Sequence, residues 1–225
     1  MKIKDSRPIQ QMIEDQVRKW KAGLPHKEEK GKKITVITVS RQPGSGGHHL
    51  AKLLAKELGF DFFDQEITVA IAENTHMRTQ WVESLDEKRH PALDDIISAV
   101  LEKHHLWSYE YMQNLVKVIA TIGEHGNAVI LGRGAHFILP REGNLRVRVV
   151  ASLEIRVKNL AEWLKISSEQ AKEYIKKSEL DRADFIKNYF KADINDPKNF
   201  DLVINMEKLS FKNATEVVKA ALKSS

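Results

Sequence analysis

Apolar and polar positions along the chain alternate between strand-like and helix-like patterns. The β-branched run from Ile34 to Val39 has the length and composition of a buried strand. A loop follows, and then Leu50, Leu53, Leu54 and Leu58 fall on one helical stripe. Phe60-Asp61-Phe62-Phe63 reads as a short second strand ending at Asp64, with a helix over 66–73 behind it. Residues 74–92 carry scattered polar and charged groups, including Asp86-Glu87-Lys88-Arg89, and read as a mobile substrate-side segment. From Pro91 to Gly126 the apolar spacing is helical again, through Leu93, Ile96, Ile97, Val100 and Leu101, then Leu115, Val118, Ile119 and Ile122. That predicts two helices with a break near 104–108.

A third strand runs from Asn127 to Leu131 and stops at Gly132-Arg133-Gly134, and a fourth runs from Leu145 to Ala151. Three charged helices are predicted over 154–163, 168–177 and 180–190, then a fifth strand from Phe200 to Asn205 and a closing helix over 214–222. Five short apolar strands alternating with helices predict an α/β fold, a five-stranded parallel sheet with helices on both faces. In such a sheet ligands bind outside the carboxyl ends of the strands. Those ends carry Ser40-Arg41, Asp64, Gly132-Arg133 and Ala151-Ser152.

The first 31 residues read as a separate piece. Ser6 can cap a helix over 6–22, Pro8 suits its first turn, and Ile9, Met12, Ile13, Val17 and Trp20 share a face. Gly23 and Pro25 end it, and HKEEKGKK over 26–33 reads as a solvated linker. The apolar face can pack on its own domain or on a second copy of the chain, so a homo-oligomer through this helix stays open. The division expected is 1–31 for helix and linker and 32–225 for the main domain.

Composition narrows the setting. An apolar share of 42% and a charged share of 30% over 225 residues fit a soluble globular protein. The absence of cysteine removes disulfides and thiolate metal sites. No stretch reaches the roughly 20 apolar residues of a membrane helix, and no apolar signal core follows the first basic residues. A cytoplasmic location without membrane partners is the expectation. The net charge of +5 favours anionic ligands, but 31 acidic residues against 36 basic ones leave nucleic acid the weakest of them.

The chemistry concentrates in Ser40-Arg41-Gln42-Pro43-Gly44-Ser45-Gly46-Gly47. Strand, glycine loop and helix is the layout in which backbone N–H groups and a positive helix end face a phosphate. A standard phosphate loop reads GxxxxGK[ST]. With Gly46 as the second glycine, Gly47 falls at the lysine, His48 at the hydroxyl and Arg41 at the first glycine. A tight strand-to-helix turn without a ligand is the competing reading. The pairs His48-His49 and His104-His105 make poor metal sites, because neighbours on a helix diverge by about 100°. No structural metal is expected.

SRQPGSGG followed by HHLAKLLAKELGFDFFDQE resembles the opening of the cytidylate kinase-like family, a branch of the P-loop nucleoside monophosphate kinases. GRGA over 132–135, ELDRADFIKNYF over 179–190 and NFDLVINMEKLS over 199–210 resemble its later segments, in the same order. The resemblance implies a P-loop kinase fold, ATP with Mg²⁺ as phosphoryl donor, and a nucleoside monophosphate acceptor, nominally CMP. It implies that Ser40, Arg41, Gly44, Ser45, Gly46, Gly47 and His48 bind the donor. Asp64 and Arg133 would bind the acceptor, with Asp64 also able to cap the next helix or reach magnesium through water. Residues 154–192 would form a helical lid, with Arg156 and Arg182 closing over the phosphoryl group. Lys176 and Lys177 read instead as parts of a solvated face.

Arg41 is the candidate substitute for the missing lysine, and pairing with Asp64 is its bland alternative. The branch usually has arginine where His48 stands, Gln65 replaces an arginine, and Gly134 replaces the aspartate of a GRD segment. These departures support an alternative from another class, a nucleotide-binding regulatory module with the kinase fold and little or no catalysis.

Overall fold

The computed structural model describes residues 9–22, 35–85, 90–104 and 110–223. The predicted cap Ser6, Pro8, the linker 26–33, Asp86 to Arg89 and the break after His104 lie outside them. The elements in chain order are α1 (Ile9–Ala22), β1 (Val36–Arg41), α2 (Gly47–Leu58), β2 (Asp61–Phe63), α3 (Gln65–Glu73), α4 (Thr75–Val82), α5 (His90–His104), α6 (Glu110–His125) and β3 (Ala128–Leu131). They continue with α7 (Ala135–Ile138), β4 (Asn144–Val150), α8 (Leu153–Leu164), α9 (Ser168–Phe190), β5 (Leu202–Asn205) and α10 (Phe211–Lys223). All five strands pair in parallel, in the order β2-β3-β1-β4-β5. This is a doubly wound parallel sheet, with β1 central and its loop at the carboxyl edge.

Alternation along the strands divides the core. Ile37 and Val39 of β1, Val129 and Leu131 of β3 and Val147 and Val149 of β4 face Leu50 and Leu54 of α2 and Val218 of α10. On the other face Val36, Phe63, Ala128 and Ile130 meet α3, α4, α6 and α7, with Leu115, Ile119 and Ile122 fully buried. The face of α1 bearing Ile13 and Val17 joins this second core. Trp20 stacks on His125 at 3.6 Å between centroids and meets Trp81 edge-on, while Gln16 and Lys19 both donate to Asp61. The amphipathic stripe is therefore used within the same chain.

Three elements differ from the sequence expectation, the shortest being α7, four residues that no helical spacing announced. The segment 74–92 contains α4, capped by Asn74 accepting from the Met77 N–H at 3.0 Å and anchored by the fully buried Trp81. The two helices expected over 168–177 and 180–190 are one helix of 23 residues. A capping box between Ser167 and Gln170 starts α9. Ala171 and Ile175 pack on Val157 and Leu160 of α8 in a small core of their own, while Ile186 and Phe190 reach the main one. One rod thus joins the α8–α9 hairpin to the body.

Candidate functional site

The loop between β1 and α2 is tied on every side. Ser45 donates its hydroxyl to the Gln42 carbonyl at 2.8 Å, and Gln42 Oε1 accepts from the Ala151 N–H at 3.1 Å. Gly44 has φ +78°, and a side chain there would run into the Arg156 carbonyl oxygen. Its own carbonyl accepts from Asn159 Nδ2 at 2.9 Å. No L residue with a Cβ fits that backbone and that contact at once. Gly46 is the N-cap of α2 and no side chain caps the helix. The first-turn N–H groups of α2 have no partner within their own helix, and they lie at its positive end.

Around this loop stand buried and half-buried arginines. Arg41 donates from Nη2 to Gln65 Oε1 at 3.0 Å, and its Nη1 occupies the space a side chain on Gly132 would need. Burial, then repulsion from Arg182 and Arg133, pulls its pKa down to about 9, still charged at neutral pH. Arg182 of α9 donates to the Arg41 carbonyl at 2.8 Å, and burial lowers its pKa too. Arg133, at φ 53°, follows β3; its guanidinium lies 5.8 Å from the Phe185 ring and its buried Nε has no hydrogen-bond partner.

Arg148, on β4, donates to Ser40 Oγ at 2.7 Å and to Asn195 Oδ1 at 3.1 Å, and burial brings its pKa to about 10. Among the described residues none of these four has a carboxylate within ion-pair distance. Arg41, Arg148 and Arg182 line a cleft of about 700 Å³ with Gln42, Pro43 and one flank of α9.

The other expected site residues fall as follows. Asp64 caps α3, its Oδ1 accepting from the Glu66 and Ile67 N–H groups at 2.9 and 3.0 Å. Its Oδ2 lies 3.9 Å from His48 Nε2. His48 is exposed, and partial desolvation by its neighbours, then Arg41, lowers its pKa. Ser40 is buried under Arg148. Arg156 donates from Nε to the Ala151 carbonyl at 3.1 Å and from Nη1 to Glu179 at 2.7 Å, so its charge is answered inside the α8–α9 hairpin. Asp64, His48 and Arg133 stand on the β2–β3 side and do not line the cleft; Arg41 connects the two sides. Lys172 and Lys176 stand on the cleft's α9 flank.

Sequence reasoning missed Arg148, Gln42, Asn159 and Asn195. Arg148 had a signal: LRVRVV in a central strand places two arginines on a face that helices cover.

The family model described as the cytidylate kinase-like family matches residues 36–208. The cytidylate kinase of Thermococcus sibiricus is 29% identical over 192 residues, covering 85% of this chain and 89% of that protein. The cytidylate kinase of Pyrococcus horikoshii is 25% identical over 187 residues, covering 83% and 88%. Among solved structures, an uncharacterized protein from Eubacterium ventriosum superposes with a TM-score of 0.69 at 21% identity, covering 86% of this chain and all of that one. The sheet order, the glycine loop and a match that takes in all five strands lead to one assignment: this chain belongs to the cytidylate kinase-like family.

Proposed function

We propose that the protein is a nucleotide kinase that transfers the terminal phosphoryl group of ATP to a nucleoside monophosphate, nominally CMP. One observation carries the proposal: Arg41, Arg133, Arg148 and Arg182 gather beside a glycine loop and a helix N-terminus, and among the described residues none has a carboxylate within ion-pair distance, Asp64, Glu179 and Asp193 acting on them only from further off. Cations left uncompensated in a partly buried site are matched to a polyanion. Phosphoryl transfer needs little else, since its catalysis is mostly positioning and charge stabilisation.

In this reading the N–H groups of Gly44, Gly46 and Gly47 and of the first turn of α2 hold the donor phosphates, the Ser45 N–H being donated to the Gln42 carbonyl. Arg133 and Asp64 take the acceptor on the β2–β3 side, Arg133 carrying a buried Nε that no group of the protein satisfies. An acceptor phosphate oxygen attacks the terminal phosphorus. The bond to the bridging oxygen breaks, and its electron pair leaves with ADP. No general base is required, because the attacking oxygen is already anionic. The α8–α9 hairpin acts as the lid, with Arg156 and Glu179 holding its two helices together and Arg182 reaching the loop.

Among the described residues no three His, Cys, Asp or Glu side chains gather as a metal site. Asp64 Oδ2, which accepts from neither capped N–H group, fits a magnesium ion held mainly by phosphates and water. Bound with the nucleotide, Mg²⁺ neutralises phosphate charge.

A regulatory module that binds nucleotide without turnover is the second reading, favoured by Gly47 and His48 at the lysine and hydroxyl positions. Titration calorimetry with ATP, followed by a coupled ADP-release assay across CMP, UMP, AMP and dCMP, separates the two. The kinase reading expects ATP binding and turnover that depends on the monophosphate.

A further inference from the structure

Strand β4 carries two arginines on one face, at positions 146 and 148, and both are buried, at 4% and 5% exposure. Their surroundings differ. Arg146 is neutralised by Asp201, which accepts from its Nε at 3.0 Å, from its backbone N–H at 2.9 Å and from Nη2. Arg148 has only neutral partners, the Ser40 hydroxyl, the Asn195 amide oxygen and the face of Phe200 at 5.7 Å. The same strand therefore holds an internal control: a buried arginine serving structure has its counter-ion in direct contact, and its neighbour two residues on has none within ion-pair distance, Glu179 and Asp193 acting on it only from further off. Keeping an uncompensated charge in a low-dielectric site is costly, and a packing role would be better served by a neutral side chain.

Arg148 also stands where an anion can reach it. It lines the cleft with Arg41, Pro43 and Arg182, where Lys172 and Lys176 of α9 stand beside Glu173 and Glu179. The hydroxyl it holds belongs to Ser40, whose chain runs through Arg41 directly into the glycine loop. Arg41 lies on the other side, against Gly132 and Gln65. The two guanidiniums thus flank the end of β1.

We propose that Arg148 is a catalytic residue that contacts the phosphoryl group in transfer, supplying from β4 the positive charge that a loop with Gly47 at the lysine position lacks. This rests on the kinase reading of the site. As the bond to the bridging oxygen breaks and the bond to the acceptor oxygen forms, Arg148 stays protonated and stabilises charge on the phosphoryl oxygens, exchanging no proton.

The test compares wild type with Arg148→Gln and Arg148→Lys in the coupled assay, with melting midpoints measured alongside. Glutamine keeps hydrogen bonds to Ser40 and Asn195 within reach while removing the charge. The proposal expects kcat of Arg148→Gln to fall about 100-fold or more, the size expected for a lost charge-stabilising donor. Its melting midpoint should stay or rise, and Arg148→Lys should recover at least about tenfold of the loss. A kcat within about threefold of wild type overturns the proposal, as does a loss that tracks a lower melting midpoint or that lysine does not relieve.

If wild type turns over no monophosphate, calorimetry with inorganic pyrophosphate separates the two claims. Binding that Arg148→Gln weakens at least about tenfold keeps Arg148 as an anion contact and sinks the kinase reading. Binding equal in both proteins, or none in wild type, overturns the role of Arg148 itself.

Discussion

The Arg182 guanidinium donates to the carbonyl oxygen of Arg41 at 2.8 Å, so helix α9 is hydrogen-bonded to the residue that leads into the glycine loop. The bond brings together two side chains that repel each other, which is part of why Arg41 titrates as low as about 9. A bound polyanion relieves that repulsion. Arg41→Ala is expected to lower ATP affinity or turnover by at least about tenfold, on the order of 1.4 kcal/mol. The folded state should persist, because Arg41 offsets no buried carboxylate. Calorimetry and the ADP-release assay on the variant measure it, and unchanged binding and rate would remove Arg41 from the site.

Gly44→Ala tests the loop itself. The substitution puts a Cβ at φ +78° and into the Arg156 carbonyl, a backbone atom that cannot swing aside. The left-handed conformation alone costs roughly 1–2 kcal/mol for a residue with a side chain. The clash forces the loop away from α8 as well. A lower melting midpoint and loss of ATP binding in the same variant are expected. Gly59→Ala also sits at positive φ but has nothing near its missing side chain, so it should show the strain without the loss of binding.

The Asp201–Arg146 pair ties β5 to β4 and stands clear of the cleft. Burial alone would raise the Asp201 carboxyl, but the hydrogen bonds from the Arg146 side chain and backbone outweigh it and hold the carboxyl below its usual range. Asp201→Asn leaves Arg146 buried without its counter-charge. Asp201 is partly exposed, so the cost should be about 1–3 kcal/mol, as for hydrogen bonds to a charged group. Urea denaturation is expected to show that loss while kcat stays within about threefold of wild type. The contrast with Arg148→Gln, where activity falls and stability does not, is the signature of two arginines on one strand doing different work.

His136 predicts an acid limb of stability. It is buried against Phe137 and Phe200, its Nε2 has no partner, and burial followed by Arg148 and Arg146 drives its pKa down to about 3. The unfolded chain, with a pKa near 6.5, takes up a proton across that window and the folded one does not. Stability is therefore highest above pH 6.5 and falls as pH drops toward 3, by up to about 1.4 kcal/mol per pH unit for this group. A His136→Gln variant should lose that part of the slope. Denaturation curves between pH 7 and 5, where few carboxylates titrate, compare the two proteins; equal slopes would contradict the assignment.

Much of this was legible in the residues. Short apolar strands separated by helical spacing predicted the parallel sheet, and the glycine loop marked the carboxyl edge where the candidate site lies. Helix α4 escaped because its apolar positions make no single stripe; Trp81 is its one fully buried residue, with Met77 and Val82 packed only in part. The continuity of α9 escaped because its apolar residues serve two different cores, so the pattern breaks while the backbone does not. Arg148 escaped because arginine alternating with valine reads as a strand with one wet face. The burial of both arginines in the folded chain, at 4% and 5% exposure, shows that the face is covered. Conversely, Arg156 reads as a lid cation in the sequence, but its charge is answered by Glu179.

The most direct measurement is ADP release from ATP by the full chain in the presence of Mg²⁺, with and without each of CMP, UMP, AMP and dCMP. Release that rises many-fold with at least one monophosphate, CMP foremost, is the predicted result. ATP that binds tightly by calorimetry yet yields no acceptor-dependent ADP would contradict it, leaving a kinase fold that holds nucleotide without transferring from it.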